Sequence, residues 1–188
     1  MGEQDDQAVI EATRRWVSAV VVGLNLCPFA RRVSEAGLIR YAVTDAAEET
    51  ALLEDLSREL AALAAVPRAD VETTLLIHPR ALPDFRDYCD FLTEADHLVS
   101  DHGLRGVIQI ASFHPLYQFA GTSPDAAENY TNRSPHPMLH LLREESITEV
   151  AGDPGSLAAI PRRNVETLRR LGQSEVLALL RAATNPAG

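Results

Sequence analysis

The chain has 188 residues, 46% of them hydrophobic and 23% charged, with a formal net charge of −10. That size suits one domain (1–188) around a single core, and the negative balance excludes a chain that neutralises many phosphates, so nucleic acid is not expected as a partner. The two cysteines, Cys27 and Cys89, stand far apart with no CxxC pair; this argues against a disulfide framework or structural zinc and for a reducing compartment.

Residues 1–5 and 184–188 are expected to be flexible tails. Apolar residues at helical spacing over 7–22 (Val9, Ile10, Trp16, Val17, Val20, Val21) predict an amphipathic first helix ended by Gly23. The stretch RRWVSAVVVGLNLC imitates a lipoprotein-type signal, but its apolar run is too short for a bilayer. The extreme N-terminus is acidic, and Leu26 stands where processing needs a small residue. The chain is therefore read as cytoplasmic, with no membrane partner. Pro28 suits the first turn of a short second helix, PFARRVSEA, closed by Gly37, with Cys27 at its start.

Three apolar runs follow about 34 residues apart, LIRYAV (38–43), VETTLLIH (71–78) and GVIQIASF (106–113), bridged by helical patterns over 45–66 and 83–101. Such spacing predicts βαβ crossovers and an α/β fold, a small, mostly parallel sheet of three to four strands flanked by helices. An α+β sandwich with antiparallel pairing is the alternative. Pro, Gly, Ser, Thr and Asn then dominate to Pro137, although Phe113, Tyr117, Phe119 and Tyr130 argue for an ordered, functional loop. Ser134 and Pro135 read as the N-cap and first turn of a helix, HPMLHLLREES, and 156–183 as further helical packing.

The segment 112–144 carries most of the candidate chemistry. His78 and His114 end the second and third strands, LLIHP and IASFHP. In a parallel sheet both rings point into the crevice where ligands bind; the plainer reading is that each bonds local backbone. On a helix His136, His140 and Glu144 share one face at spacings of four, and with His114 they form a candidate zinc or iron set. In NYTNRSP, the helix N-terminus, the Arg133 fork, Ser134, Asn132 and Asn129 form a candidate anion site, with Tyr117 and His78 nearby and His140 or His114 as acid or base. A capped helix with a paired arginine is the structural alternative. Cys27, at a helix start with Arg31 and Arg32 in the next turn, is a candidate nucleophile or ligand, though its apolar neighbours also suit an inert core thiol. Cys89, in DYCDFL, reads as core.

The motifs NLCPFA, SFHPLYQFAGT and TNRSPHPMLHLLRE, with PRRNVETLRRLG later, resemble a bacterial family, domain of unknown function 1415, over nearly the whole chain. The resemblance implies a single-domain cytoplasmic bacterial protein and carries no activity, cofactor or site residues. The residues themselves lead to a small enzyme acting on a phosphate- or carboxylate-bearing metabolite. The alternatives are a His-ligated metalloprotein and a non-catalytic ligand-binding or regulatory module.

Overall fold

The three apolar runs form strands β1 (Ile39–Val43), β2 (Thr73–Ile77) and β3 (Ile108–Phe113) in a computed structural model that describes residues 2–151 and 154–184, the side chains of 150–157 excepted. Helix α3 (Glu49–Ala65) joins β1 to β2, and α4 (Phe85–Asp101) joins β2 to β3. Asp84 starts α4 by accepting hydrogen bonds from the amides of Arg86 and Asp87, satisfying donors that the first helical turn leaves unpaired. β1 and β2 pair in parallel, from Ile39 opposite Thr73 to Val43 opposite Ile77.

The second crossover leaves a vacant lane between β2 and β3. Strand β4 (Met138–Arg143) fills it, antiparallel to both neighbours, in the order β1-β2-β4-β3. The fold is mixed α/β with a four-stranded sheet, but only one strand pair is parallel, which corrects the mostly parallel sheet expected from the sequence. β4 also corrects the helix expected over HPMLHLLREES. As an inner strand it is apolar on both faces: Leu139 and Leu141 join one cluster of buried side chains, while Met138 and Leu142 lie on the other face. Apolar residues at 138, 139, 141 and 142 fit a helical stripe as well as a doubly buried strand, so spacing alone could not separate the two.

The sheet is the middle of three layers. One face packs on α3 and α4 through Leu52, Leu56, Leu60, Tyr88, Phe91 and Ala95. The other packs on α1 (Glu3–Trp16), the π-helical turn Val17–Val22 that extends it, α2 (Ala30–Glu35), α6 (Pro154–Leu171) and α7 (Gln173–Thr184), through Trp16, Val20, Val33, Leu168 and Val176. A short helix, α5 (Glu144–Ala151), follows β4 directly. At the end of the π-helical turn only glycine fits at position 23, since a Cβ there would lie 2.3 Å from the Ala19 carbonyl oxygen. Buried Arg143 donates to the carbonyls of Leu63, Val66 and Val71, placing a cation at the C-terminus of α3. Cys89 lies one position beyond the buried Tyr88 on α4 and is exposed, correcting its expected core placement. Among the described residues no helix is long and apolar enough to cross a membrane.

Candidate functional site

His78 and His114 do lie at the carboxyl ends of β2 and β3, on the α4 side of the sheet, but aromatic side chains fill the crevice there. Tyr88 stacks on His78 with ring centroids 5.8 Å apart and stands 5.1 Å from His114, while Phe85 lies 5.3 Å from His114. Both histidines grip the same turn between β2 and α4. His78 Nδ1 donates to the Ala81 carbonyl at 3.1 Å. His114 Nδ1 accepts from the Leu116 amide, so its Nε2 carries the proton and donates to the Leu82 carbonyl at 3.1 Å. Leu82 has φ +54°, a left-handed conformation costly for a leucine. The two rings hold that turn in place, and burial keeps both below the usual histidine pKa, His78 at about 4.

The expected anion site is dispersed because no helix begins at Pro135. Ser134 Oγ donates to the His136 carbonyl, within the lead into β4. Arg133 spends Nε on the Tyr117 carbonyl and Nη2 on the Pro124 carbonyl, and its guanidinium lies 4.5 Å from the Tyr130 ring centroid. Asn129 is buried, accepts from the Phe119 amide and donates to the Ser123 carbonyl. Asn132 donates to the Ser112 carbonyl. The Tyr117 ring packs 5.0 Å from both Phe85 and Phe119. These residues order the loop, as its aromatics predict, by pairing its backbone internally.

The metal set also comes apart. On a strand, four residues span roughly 13 Å, against about 6 Å on a helix, so His136, His140 and Glu144 stand too far apart to share one ion with bonds of roughly 2 Å. His114 has both nitrogens committed to backbone and lies on the other face from His140. No group of three or more His, Cys, Asp or Glu among the described residues is placed to hold a metal ion.

What the strand does with His140 is different. Alternation along β4 aims it away from α4 at a cavity of about 180 Å³ between the sheet and the first helical segment. Trp16, Val21, Phe29, Leu75, Ala111 and Phe113 make its walls apolar, and Cys27, Thr73 and His140 supply the polar groups. His140 is half-buried and lines this cavity, whose accessible wall is almost wholly apolar. Its tautomer follows from hydrogen bonding. Thr73 Oγ1 has one proton and donates it to the Leu141 carbonyl at 2.6 Å, so at 2.8 Å it accepts from His140 Nε2–H. Nδ1 therefore holds a lone pair, with no donor to it among the described residues. Burial lowers the ring's pKa to about 4, which keeps it neutral at neutral pH.

Cys27 lies where this cavity meets a second, more open cleft of about 520 Å³; Val21, Cys27 and Phe113 belong to both. The outer cleft adds Glu128, Thr131, Asn132 and Asn164. Burial pushes the Cys27 thiol above its usual pKa, opposed by the amides of Phe29 and Ala30 and by the Arg163 charge. Helix α6 pins the cysteine loop: Asn164 Nδ2 donates to the Leu26 carbonyl at 2.8 Å and Arg163 Nη2 to that of Asn25 at 3.2 Å. Asn164 Oδ1 is buried without a partner. The segments NLCPFA, SFHP, TNR and PRRN thus meet around Cys27. Sequence reasoning singled out Cys27 and His140 separately but missed Trp16, Thr73 and Asn164; of these only Asn164 lay in one of the family-like segments.

Fold and site define a three-layer α/β protein with a thiol at the neck between an internal apolar cavity and a solvent-facing cleft. The chain belongs to the family described as "Protein of unknown function (DUF1415)", whose profile matches residues 8–178. No curated protein and no solved structure matches it.

Proposed function

We propose that the protein is a cytoplasmic enzyme acting on a small metabolite, with Cys27 as nucleophile and His140 as the group that takes and returns its proton. The observation that carries this reading is the position of Cys27 on the common wall of the two cavities, the inner of which His140 also lines with its Nδ1 free of any hydrogen-bond donor. The substrate places an apolar group in the inner cavity, an electrophilic carbon at the neck and its polar end in the cleft. Attack forms the S–C bond while the thiol proton passes to Nδ1, and the departing group takes that proton as its own bond to carbon breaks; water then adds to the same carbon and gives its proton through Nδ1 to the sulfur as the S–C bond breaks. Because the thiol is raised and the imidazole lowered by burial, the resting pair is uncharged and proton transfer accompanies attack. The reading keeps the small metabolite expected from the sequence and moves its site from Arg133 and Ser134 to Cys27. No preference for an anionic head is included, since among the described residues no arginine lines the cleft.

A panel of small esters, thioesters and amides with apolar groups tests the reading. Turnover that Cys27→Ala abolishes and His140→Gln slows supports it, whereas turnover unchanged in Cys27→Ala overturns it. Saturable binding of panel members without turnover makes the protein a ligand-binding module instead.

A further inference from the structure

Strand β3 ends the sheet, with β4 on one side and no strand on the other. Backbone groups of an antiparallel strand alternate between its two sides, and the hydrogen bonds at its ends fix which residues point where. The Glu144 amide donates to the Val107 carbonyl, so the odd-numbered residues of β3 face β4. The even-numbered ones face outwards, where Asn132 meets them: its Nδ2 donates to the Ser112 carbonyl at 3.0 Å and its own carbonyl accepts from the His114 amide at 3.1 Å. The Ile108 amide donates to the Leu104 carbonyl. Between these caps the Ile108 carbonyl, both backbone groups of Ile110 and the Ser112 amide have no partner among the described residues. An open row of this kind is a template for a further strand, and sheet edges are ordinarily guarded by charge. The other outer strand, β1, has Arg40 bonded to Glu59 and Arg14 over the Tyr41 ring. Around β3, by contrast, no Asp, Glu, Lys or Arg occurs between Arg105 and Asp125. The large hydrophobic side chains left exposed among the described residues, Val107 at 47% and Leu116 at 60%, come just before and just after this strand.

We propose that two copies of this chain associate through β3, antiparallel about a two-fold axis at Ile110, so that their sheets become one. The pattern of free and occupied groups is what names a second copy as the occupant. In that arrangement each Ile110 amide donates to the Ile110 carbonyl of the other copy, and each Ser112 amide donates to the Ile108 carbonyl of the other copy. Every unpaired group then has a partner. The groups that face each other next along the strands, the Ser112 carbonyl and the Ile108 amide, are those already satisfied by Asn132 and Leu104. Such self-complementarity is what a two-fold contact requires. The side chains agree with it. The two Ile110 side chains, partly buried against the α3 and α4 cluster, lie roughly 5 Å apart across the axis and complete each other's burial. Val107 stands opposite Phe113 of the second copy. No group in this contact reacts in the chemistry proposed for Cys27, so the two readings stand or fall separately.

Analytical ultracentrifugation of the full chain from about 1 µM to about 1 mM should show reversible conversion to twice the mass of the chain. Amide hydrogen exchange then identifies the surface. The Ala111 amide, which faces β4, should be protected at every concentration. The Ile110 and Ser112 amides should exchange freely in dilute protein and slow at least about tenfold as the dimer forms. Val107→Glu combined with Leu116→Glu changes only exposed positions and should weaken association at least about tenfold, with stability to urea unchanged. A chain that stays monomeric over the whole range overturns the proposal. So does a dimer whose Ile110 and Ser112 amides exchange as fast as in the monomer, since the contact then lies elsewhere. A folded double variant that associates as tightly as wild type overturns it too. The exchange measurement needs no variant, so poor folding of the double variant leaves the proposal open to refutation.

Discussion

Acid should destabilise this protein through two particular rings, and the size of the effect follows from their burial. His78 and His140 are held near pKa 4 in the folded chain by burial, against 6.5 for an ordinary histidine. Above pH 6.5 neither state binds the proton, and these rings add no pH dependence. As pH falls from 6.5 towards 4 the unfolded chain takes up protons that the folded chain refuses, so stability is lost with decreasing pH. The interval from 6.5 to about 4 corresponds to about 3 kcal/mol for each ring, a large share of the roughly 5–15 kcal/mol that a domain has in total. His140→Gln removes one of the two contributions. Urea denaturation at pH 7.5, 6.5, 5.5 and 4.5 should show the wild-type curve falling more steeply than that of the variant. The gap between the proteins should change by about 2–3 kcal/mol, in the variant's favour, from pH 7.5 to 4.5. Carboxylate protonation is common to both and cancels in the difference. Parallel curves, or a His140 NMR titration centred near 6.5, would refute the assignment of a neutral, cavity-facing imidazole.

Iodoacetamide should label exposed Cys89 first and Cys27 at least about tenfold more slowly at pH 7.5, because burial raises the Cys27 thiol above 9.0 and restricts access; mass spectrometry of timed samples distinguishes the two sites, and toluene should slow Cys27 alone. Arg143→Met leaves the carbonyls of Leu63, Val66 and Val71 without their donor and should cost about 2–4 kcal/mol in urea denaturation, with the Trp16 fluorescence response to toluene unchanged. Gly23→Ala forces the π-helical turn away from the Ala19 carbonyl and should cost about 1–3 kcal/mol. It should also weaken toluene binding, since Val21 lies on the wall that must shift.

Much of the architecture was legible because it depends on local signals. The runs at 38–43, 71–78 and 106–113 contain the strands observed, the bridging helices α3 and α4 fall within 45–66 and 83–101, and the aromatic-bearing loop after Phe113 is ordered. β4 was not legible, because a strand buried on both faces loses the period-two alternation that identifies a strand, and Met138–Leu139–Leu141–Leu142 then mimics a helix. One error propagated: with a helix assumed, Ser134 became a cap, Arg133 an anion fork and His136, His140 and Glu144 a ligand face. His78 and His114 were located correctly at strand ends, but their backbone partners, Ala81 and Leu82, occupy a left-handed turn that no local pattern announces. Cys27 and His140, about 110 residues apart, share a cavity only because β4 enters the sheet.

That same insertion explains why the site lies where it does. In an open parallel sheet the carboxyl ends of the strands splay apart and leave a crevice for ligands. Here β4 enters between β2 and β3 at that end: the Pro137 carbonyl accepts from the His78 amide, and Tyr88 Oη donates to the Met138 carbonyl and accepts from the Phe113 amide. The crevice is closed with hydrogen bonds and filled with rings. Space is left instead on the opposite face. There Ala111 of β3 and His140 of β4 lie in register, one small and one polar, beneath a π-helical turn whose geometry pulls Val17 and Val21 out of regular helical phase. A helix continuing regularly from α1 would present a different stripe to those two positions. Restoring that regularity, by deleting one residue from the turn, should therefore reduce toluene binding while leaving the α3 and α4 side of the sheet, and the His78 and His114 resonances, unchanged.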